Sequence, residues 1–192
     1  MATDFDFEVI LQTMKKAAGA LRDSDVRFAL GGGLAVWARG GAKTEHDVDF
    51  FVKPEDVERA QQALVDIGFR PERPPEGWLL KAWDGDVLVD LIYEPRGGPI
   101  DDGWFDRAEE MDVFAVTMPV ASLDDVLVTK LLALSEQNLE FSSVLEIARA
   151  VREQLDWDEI RRRSEGSPYA KAFLVLVEEL GVAPPTVSAR EY

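Results

Sequence analysis

The chain has 192 residues, and 37 Asp and Glu against 21 Lys and Arg leave it a formal net charge of −16. So acidic a chain is unsuited to coating DNA by phosphate neutralisation, and the absence of cysteine excludes disulfide staples, thiolate zinc sites and cysteine nucleophiles. Hydrophobic residues at 46% and charged ones at 30% fit an ordinary globular protein, long enough for one large domain or two small lobes.

The first ten residues are acidic, without the basic flank and apolar run of a secretory signal. No apolar stretch nears the ~20 residues of a membrane span. A soluble, cytoplasmic protein with no membrane partner is the expectation.

Val9, Ile10, Met14, Ala17 and Leu21 recur at near-helical spacing and predict a first helix over 7–22, ended by Asp23, Ser24 and Asp25. Val26 to Leu30 reads as a short strand running into Gly31-Gly32-Gly33, a glycine turn that opens a buried helix at Leu34 to Ala38. After a loop, Val48, Phe50 and Val52 alternate with Asp47, Asp49 and Phe51, so a strand here has one apolar face and one that carries two carboxylates. Pro54 with Glu55 and Asp56 suits the first turn of a helix over 54–67, capped by Gly68. Phe69 begins a short strand, and Trp78 to Trp83 with Asp86 to Tyr93 make two strands joined by Asp84-Gly85, a two-residue hairpin signal. A loop over 94–103 follows, then a short helical piece near Trp104 to Glu110 and a strand near Val113 to Met118.

From Ser122 the pattern turns helical. Ser122 with Asp125 resembles a capping box ahead of Val126 to Glu136, and Ser142 or Ser143 suits the cap of a helix through Glu153. Asp156 with Glu159 can cap another helix over Trp157 to Arg163, and Ser167-Pro168 can open a last one ending at Gly181. The expected architecture is α/β (α+β): a small mixed sheet of about four to five strands with flanking helices over 1–119, then a helical lobe over 120–192, with the site in the cleft between them.

Chemistry concentrates in Gly32-Gly33, Asp47-Val48-Asp49 and Asp90. Carboxylates at i and i+2 of a strand share a face, so Asp47 and Asp49 can hold one hard divalent cation while Asp90 on a neighbouring strand adds a third oxygen ligand. Asp90 lies within the apolar run Val87 to Ile92, where an unpaired carboxylate is costly and calls for a metal or a cationic partner. Mg²⁺ held by few carboxylates completes its shell with water and substrate phosphates, and a glycine turn at a helix start offers N–H groups to a phosphate chain. An acidic strand face exposed to solvent is the competing reading for Asp47 and Asp49 taken alone.

The segment GGGLAVWARGGAKTEHDVDFFV resembles the nucleotidyltransferase superfamily of DNA polymerase beta and the minimal nucleotidyltransferases. The likeness rests on the glycine pair, a thirteen-residue spacer from Leu34 to His46, and the acidic pair Asp47 and Asp49, with Asp90 matching the third acid on a later strand. Asp124 to Ala133 resembles the AbiEii and MenT toxin nucleotidyltransferases, in which a lysine on a helix after the sheet contacts nucleotide phosphates; Lys130 is the matching position. The resemblance implies a nucleotidyltransferase that uses Mg²⁺, or Mn²⁺ in its place, with Asp47, Asp49 and Asp90 as catalytic and metal-binding residues and Gly32, Gly33 and Lys130 binding the nucleoside triphosphate. It further implies the 3′ end of tRNA as acceptor, a block of translation and a cognate antitoxin protein as partner. Two alternatives stay open: an adenylyltransferase acting on a protein or on a small molecule such as an aminoglycoside, and a catalytically silent binding module.

The chain also departs from those toxins. Their additional C-terminal acidic motif has no clean counterpart among Glu146, Asp156 and Asp158, and Glu45, preceded by Thr44, stands where relatives often carry Ser or Thr. His46, the single histidine, is read as a strand-edge residue ahead of a general base. Lys43 and Arg39 could touch triphosphate or RNA or simply face solvent. Arg149, Arg152 and Arg161 to Arg163 could form an RNA-facing patch or a solvated helix face. The five tryptophans read mostly as core, with Trp78 or Trp83 able to line a base pocket.

Overall fold

The computed structural model describes residues 7–43 and 47–186; Thr44, Glu45 and His46 lie outside the described residues. The amphipathic first helix is α1 (Phe7–Asp23), which buries Ile10, Met14, Ala17 and Leu21 as the spacing requires but leaves Val9 exposed. It leads into β1 (Phe28–Leu30), α2 (Gly32–Ala38) and β2 (Asp47–Val52). A 3-10 turn over Pro54–Asp56 takes up the first part of the expected third helix, leaving α3 (Val57–Asp66). Next come β3 (Arg70–Glu72), β4 (Leu79–Asp84), β5 (Val87–Ile92), α4 (Asp102–Asp106), β6 (Glu109–Val113) and β7 (Val116–Val120). Helices α5 (Leu123–Ala133), α6 (Ser142–Val151), α7 (Trp157–Ser164) and α8 (Pro168–Glu179) complete the described chain.

The strands form one mixed sheet in the order β3-β4-β5-β2-β1-β7-β6. β2 runs parallel to β5 and antiparallel to β1, and β1 runs parallel to β7. Among the described residues the sheet has seven strands, where a sheet of four to five was expected and six strands were read one by one along the sequence. The added strand is β6, which pairs antiparallel with β7 around a turn at Phe114 and Ala115. The helix expected near Trp104 to Glu110 correspondingly stops at Asp106.

Alternation along β2 puts Val48, Phe50 and Val52 in the core, all fully buried, and Asp47, Asp49 and Phe51 on the opposite face. α1 packs on the core side, where Thr13 Oγ1 donates to Asp84 Oδ2 at 2.8 Å and α1 meets α3. α2 and α4 cover the carboxylate side: Gly32 approaches Asp49, and the Trp104 ring leans on Phe51 with centroids 5.0 Å apart. The buried apolar residues of the sheet and of α5 to α8 belong to one contiguous core.

Of the four side-chain caps expected in the helical part, three form. Ser122, Asp156 and Ser167 cap α5, α7 and α8 by accepting backbone N–H bonds. At α6 neither serine caps: Ser142 is the first helical residue, and its N–H donates to Glu140 Oε1 instead.

No helix among the described residues is long and apolar enough to cross a membrane.

Candidate active site

Parallel pairing of β2 with β5 sets Asp47 opposite Leu88 and Asp49 opposite Asp90. The three acidic side chains therefore converge: one carboxylate oxygen from each of Asp47, Asp49 and Asp90 lies within 4.8 Å of the others. Asp90 is buried, whereas Asp47 and Asp49 are half-buried. Three oxygen donors of like charge at this spacing suit a hard cation such as Mg²⁺.

The electrostatics show the strain of the bare cluster. Burial, then the Asp47 carboxylate, push the Asp49 carboxyl from its ordinary 3.8 up to about 8; Lys130 opposes the rise, Asp90 adds to it, and Lys81 opposes it. Burial also raises Asp90, against the hydrogen bond and charge of Lys81. A divalent cation relieves the same repulsion that the proton relieves, so the donor set fits one.

The glycine turn has a steric reason. Gly32 sits at φ +53, and a Cβ there would come 1.6 Å from Asp49 Oδ2. Gly31 donates its N–H to the Asp49 carbonyl at 2.8 Å, and a Cβ on it would meet the Phe51 ring at 2.7 Å. The turn is thus pressed against the acidic strand, and only glycine lets backbone and carboxylate approach so closely. Gly32→Ala should lower turnover about a hundredfold by displacing Asp49; a variant with unchanged turnover in steady-state assays would show that Asp49 tolerates the displacement.

Lys130 is half-buried in the last turn of α5, close enough for its charge to act on Asp49. Sequence reasoning missed Lys81. It lies across from Asp90 on β4, and its Nζ donates to Asp90 Oδ1 at 2.8 Å. The turn expected at Asp84-Gly85 lies one residue further on, at Gly85-Asp86: counting back from the expected turn sets Lys81 opposite Leu88, whereas the observed register pairs Asp84 with Val87 and Lys81 with Asp90.

Other candidate positions are taken up elsewhere. Arg39 pairs with Glu109 at 2.6 Å and donates to the carbonyls of Val120 and Ala121, and Lys43 lies over the Phe7 ring. Arg152 pairs with Glu153, Arg161 with Asp158 and Glu178, Arg162 with Glu159, and Arg163 with Asp125. Of these, Arg161 and Arg163 are largely buried, so the helical arginines are neither a free patch nor a uniformly solvated face. Asp156 caps α7, and Asp158 serves Arg161. Trp83 donates Nε1 to Glu72 and carries Arg70 over its ring, while Trp78 stays exposed beside the hairpin.

The family model described as "Uncharacterised nucleotidyltransferase" matches residues 3–178. No curated protein matches the chain. Among solved structures, ANT(2'')-Ia in complex with adenylyl-2''-tobramycin is 16% identical, with a TM-score of 0.63 over 86% of this chain and 97% of that one. The lincosamide antibiotic adenylyltransferase LnuA, lincomycin-bound, is 19% identical, with a TM-score of 0.51 over 71% and 92%. At such identities the likeness is one of fold. The family match extends over nearly the whole sequence, from the first helix to the last, and the chain belongs to this family of nucleotidyltransferases.

Proposed function

We propose that the protein moves a nucleoside monophosphate from a nucleoside triphosphate to a hydroxyl of a small, cationic acceptor, releasing pyrophosphate. The observation that carries this reading is the convergence of Asp47, Asp49 and Asp90 against the turn at Gly32. In this reading the three aspartates hold Mg²⁺, or Mn²⁺ in its place, and the ion supplies charge neutralisation at the phosphates. Asp90 positions the attacking hydroxyl, and the backbone at Gly32 and Gly33 with the Lys130 ammonium holds the triphosphate. The transferase core is residues 1–119 and the helical lobe 120–192. The cytoplasm, where nucleoside triphosphates are abundant, is the setting this reading requires.

Charge supports the acceptor class. A chain at −16 attracts cations, and two of the arginines that could track an RNA backbone, Arg161 and Arg163, are largely buried against carboxylates. Proteins of similar fold include ANT(2'')-Ia, bound to adenylyl-2''-tobramycin, and the lincosamide antibiotic adenylyltransferase LnuA, bound to lincomycin.

The AbiEii and MenT resemblance supports a second reading, with the 3′ end of tRNA as acceptor and an antitoxin as partner; the place of Lys130 near Asp49 favours it no less. One experiment separates the readings. The purified protein is incubated with Mg²⁺, each α-labelled nucleoside triphosphate in turn, and pools of aminoglycosides and lincosamides, total tRNA, or cell protein, beside an Asp47→Ala, Asp49→Ala control. Label on the small cations that requires the aspartates is the expected result. Label on tRNA establishes the toxin reading, and label on protein a protein adenylyltransferase. No transfer and no Mg²⁺-dependent nucleotide binding overturn both readings in favour of a silent binding module.

A further inference from the structure

A row of charged side chains crosses four strands of the sheet. Glu72 of β3 faces Lys81 of β4, Lys81 faces Asp90 of β5, and Asp90 faces Asp49 of β2. Lys81 is held firmly within this row. Its side chain is 20% exposed and that of Asp90 11%, with Nζ 2.8 Å from Oδ1. The carbonyls of Lys81 and Glu72 both accept from Nε2 of the buried Gln61, at 2.8 and 3.1 Å, which pins the two strands where the lysine departs.

We propose that Lys81 is a positioning residue for nucleotidyl transfer: its ammonium occupies one oxygen of Asp90, so that Asp90 meets a divalent cation through its other oxygen alone. This rests on the reading of Asp47, Asp49 and Asp90 as a metal site. A carboxylate can bind such an ion with one oxygen or with both. With Oδ1 engaged in a charge-assisted bond, two-oxygen binding would bring the ion within a few ångströms of a unit positive charge in a poorly solvated place, where repulsion is strong. Lys81 therefore weakens the grip of Asp90 on the ion while fixing the oxygen that it presents. One coordination place stays open for water or substrate.

The consequence is a pair of effects with opposite sign, which a purely structural lysine would not produce. The probe is Mn²⁺ alone, titrated into the full chain at about pH 9, where protons compete weakly. Binding is followed by electron paramagnetic resonance, and exchangeable water on the bound ion by proton relaxation. In Lys81→Met, Mn²⁺ should bind about tenfold more tightly and carry one fewer water, whereas pyrophosphate release from ATP should fall about ten- to hundredfold. Lys81→Arg retains the cation and should keep the original water count. Lys81→Gln retains a donor without charge; it should also keep that count but tighten Mn²⁺ binding, and it carries the test if Lys81→Met does not fold.

Weaker or unchanged Mn²⁺ binding without the ammonium overturns the proposal, because a loosened strand lowers metal affinity and turnover together. An unchanged water count in Lys81→Met overturns it as well. Failure of the unsubstituted protein to bind Mn²⁺ removes the metal site itself, a result seen before any substitution is compared.

Discussion

Asp49→Asn should lower nucleotidyl transfer about a thousandfold or more and, at the same time, raise the thermal midpoint of the metal-free protein. The loss follows from removing one of three converging oxygen donors, since a bound ion contributes several kcal/mol of charge stabilisation to such a transfer. The gain follows from proton linkage. The Asp49 carboxyl is held at about 8 in the fold, against its ordinary 3.8, because burial and Asp47 disfavour its charge. Between those pH values the folded protein binds a proton that the unfolded chain has released, so stability falls as pH rises through the window. Asn carries no such penalty. In metal-free buffer the variant should melt higher at about pH 8, with each kcal/mol of relief worth about 3 °C in a chain of this size. The difference should shrink toward pH 4, and added Mg²⁺ should stabilise the unsubstituted protein far more than the variant. A variant that melts lower than the unsubstituted protein at about pH 8 without metal would show that Asp49 is not under electrostatic strain.

The second large effect is expected at Asp125, in the first turn of the helix that carries Lys130. Its side chain is wholly buried and accepts from Arg107 through both oxygens, at 3.0 and 2.9 Å, from Arg163 at 2.6 Å and from the Ser122 hydroxyl at 2.7 Å. Arg107 follows α4 and Arg163 lies on α7, so one carboxylate ties both to the start of α5. Trp104 lies close to both guanidinium groups. Asp125→Ala leaves the largely buried Arg163 without its counter-charge, and breaking a buried pair from one side costs about 3–5 kcal/mol. The thermal midpoint should fall by about 10 °C. Arg107 is more exposed and can turn to water. Asp125→Leu combined with Arg163→Met should therefore recover much of the loss, because removing both charges removes the orphan as well. A fall of less than about 2 °C in Asp125→Ala by differential scanning calorimetry would contradict this account.

The contrast between these residues shows what could be seen in the sequence. Asp47 and Asp49 were legible because strand alternation puts both on one face, and Asp90 because a carboxylate inside an apolar run calls for a partner. Lys81 was not legible in that way, because its place across from Asp90 depends on the turn falling at Gly85-Asp86 and not at the Asp84-Gly85 that the dipeptide signals. Nor was the β6–β7 hairpin: its turn residues, Phe114 and Ala115, adopt φ +48 and +60, a conformation usually signalled by Asn or Gly. Phe114 packs against the core, a tertiary contact that helps to offset the strain and that no local pattern announces. The arginines of α7 failed for a related reason. Arg163 finds its acid 38 positions away in Asp125 and Arg161 finds one 17 away in Glu178, so a run that looks like free basic surface is internally neutralised. Capping by Glu140 rather than by Ser142 or Ser143 was likewise a choice between adjacent acceptors that composition alone does not make.

The two margins of the sheet have a bearing on handling the protein in concentrated solution. An unpaired strand is a template on which another chain can add by backbone hydrogen bonding. One margin, β3, is three residues long and contains Pro71, which offers no N–H, between Arg70 and Glu72. The other, β6, displays Glu109, Glu110 and Asp112, so two copies approaching along it meet like charges. Each rim discourages fibril-like stacking by a different device, one by withholding a donor and the other by repulsion. The acidic rim should lose that protection in concentrated salt, which screens like charges, and this makes low ionic strength the safer medium for storage.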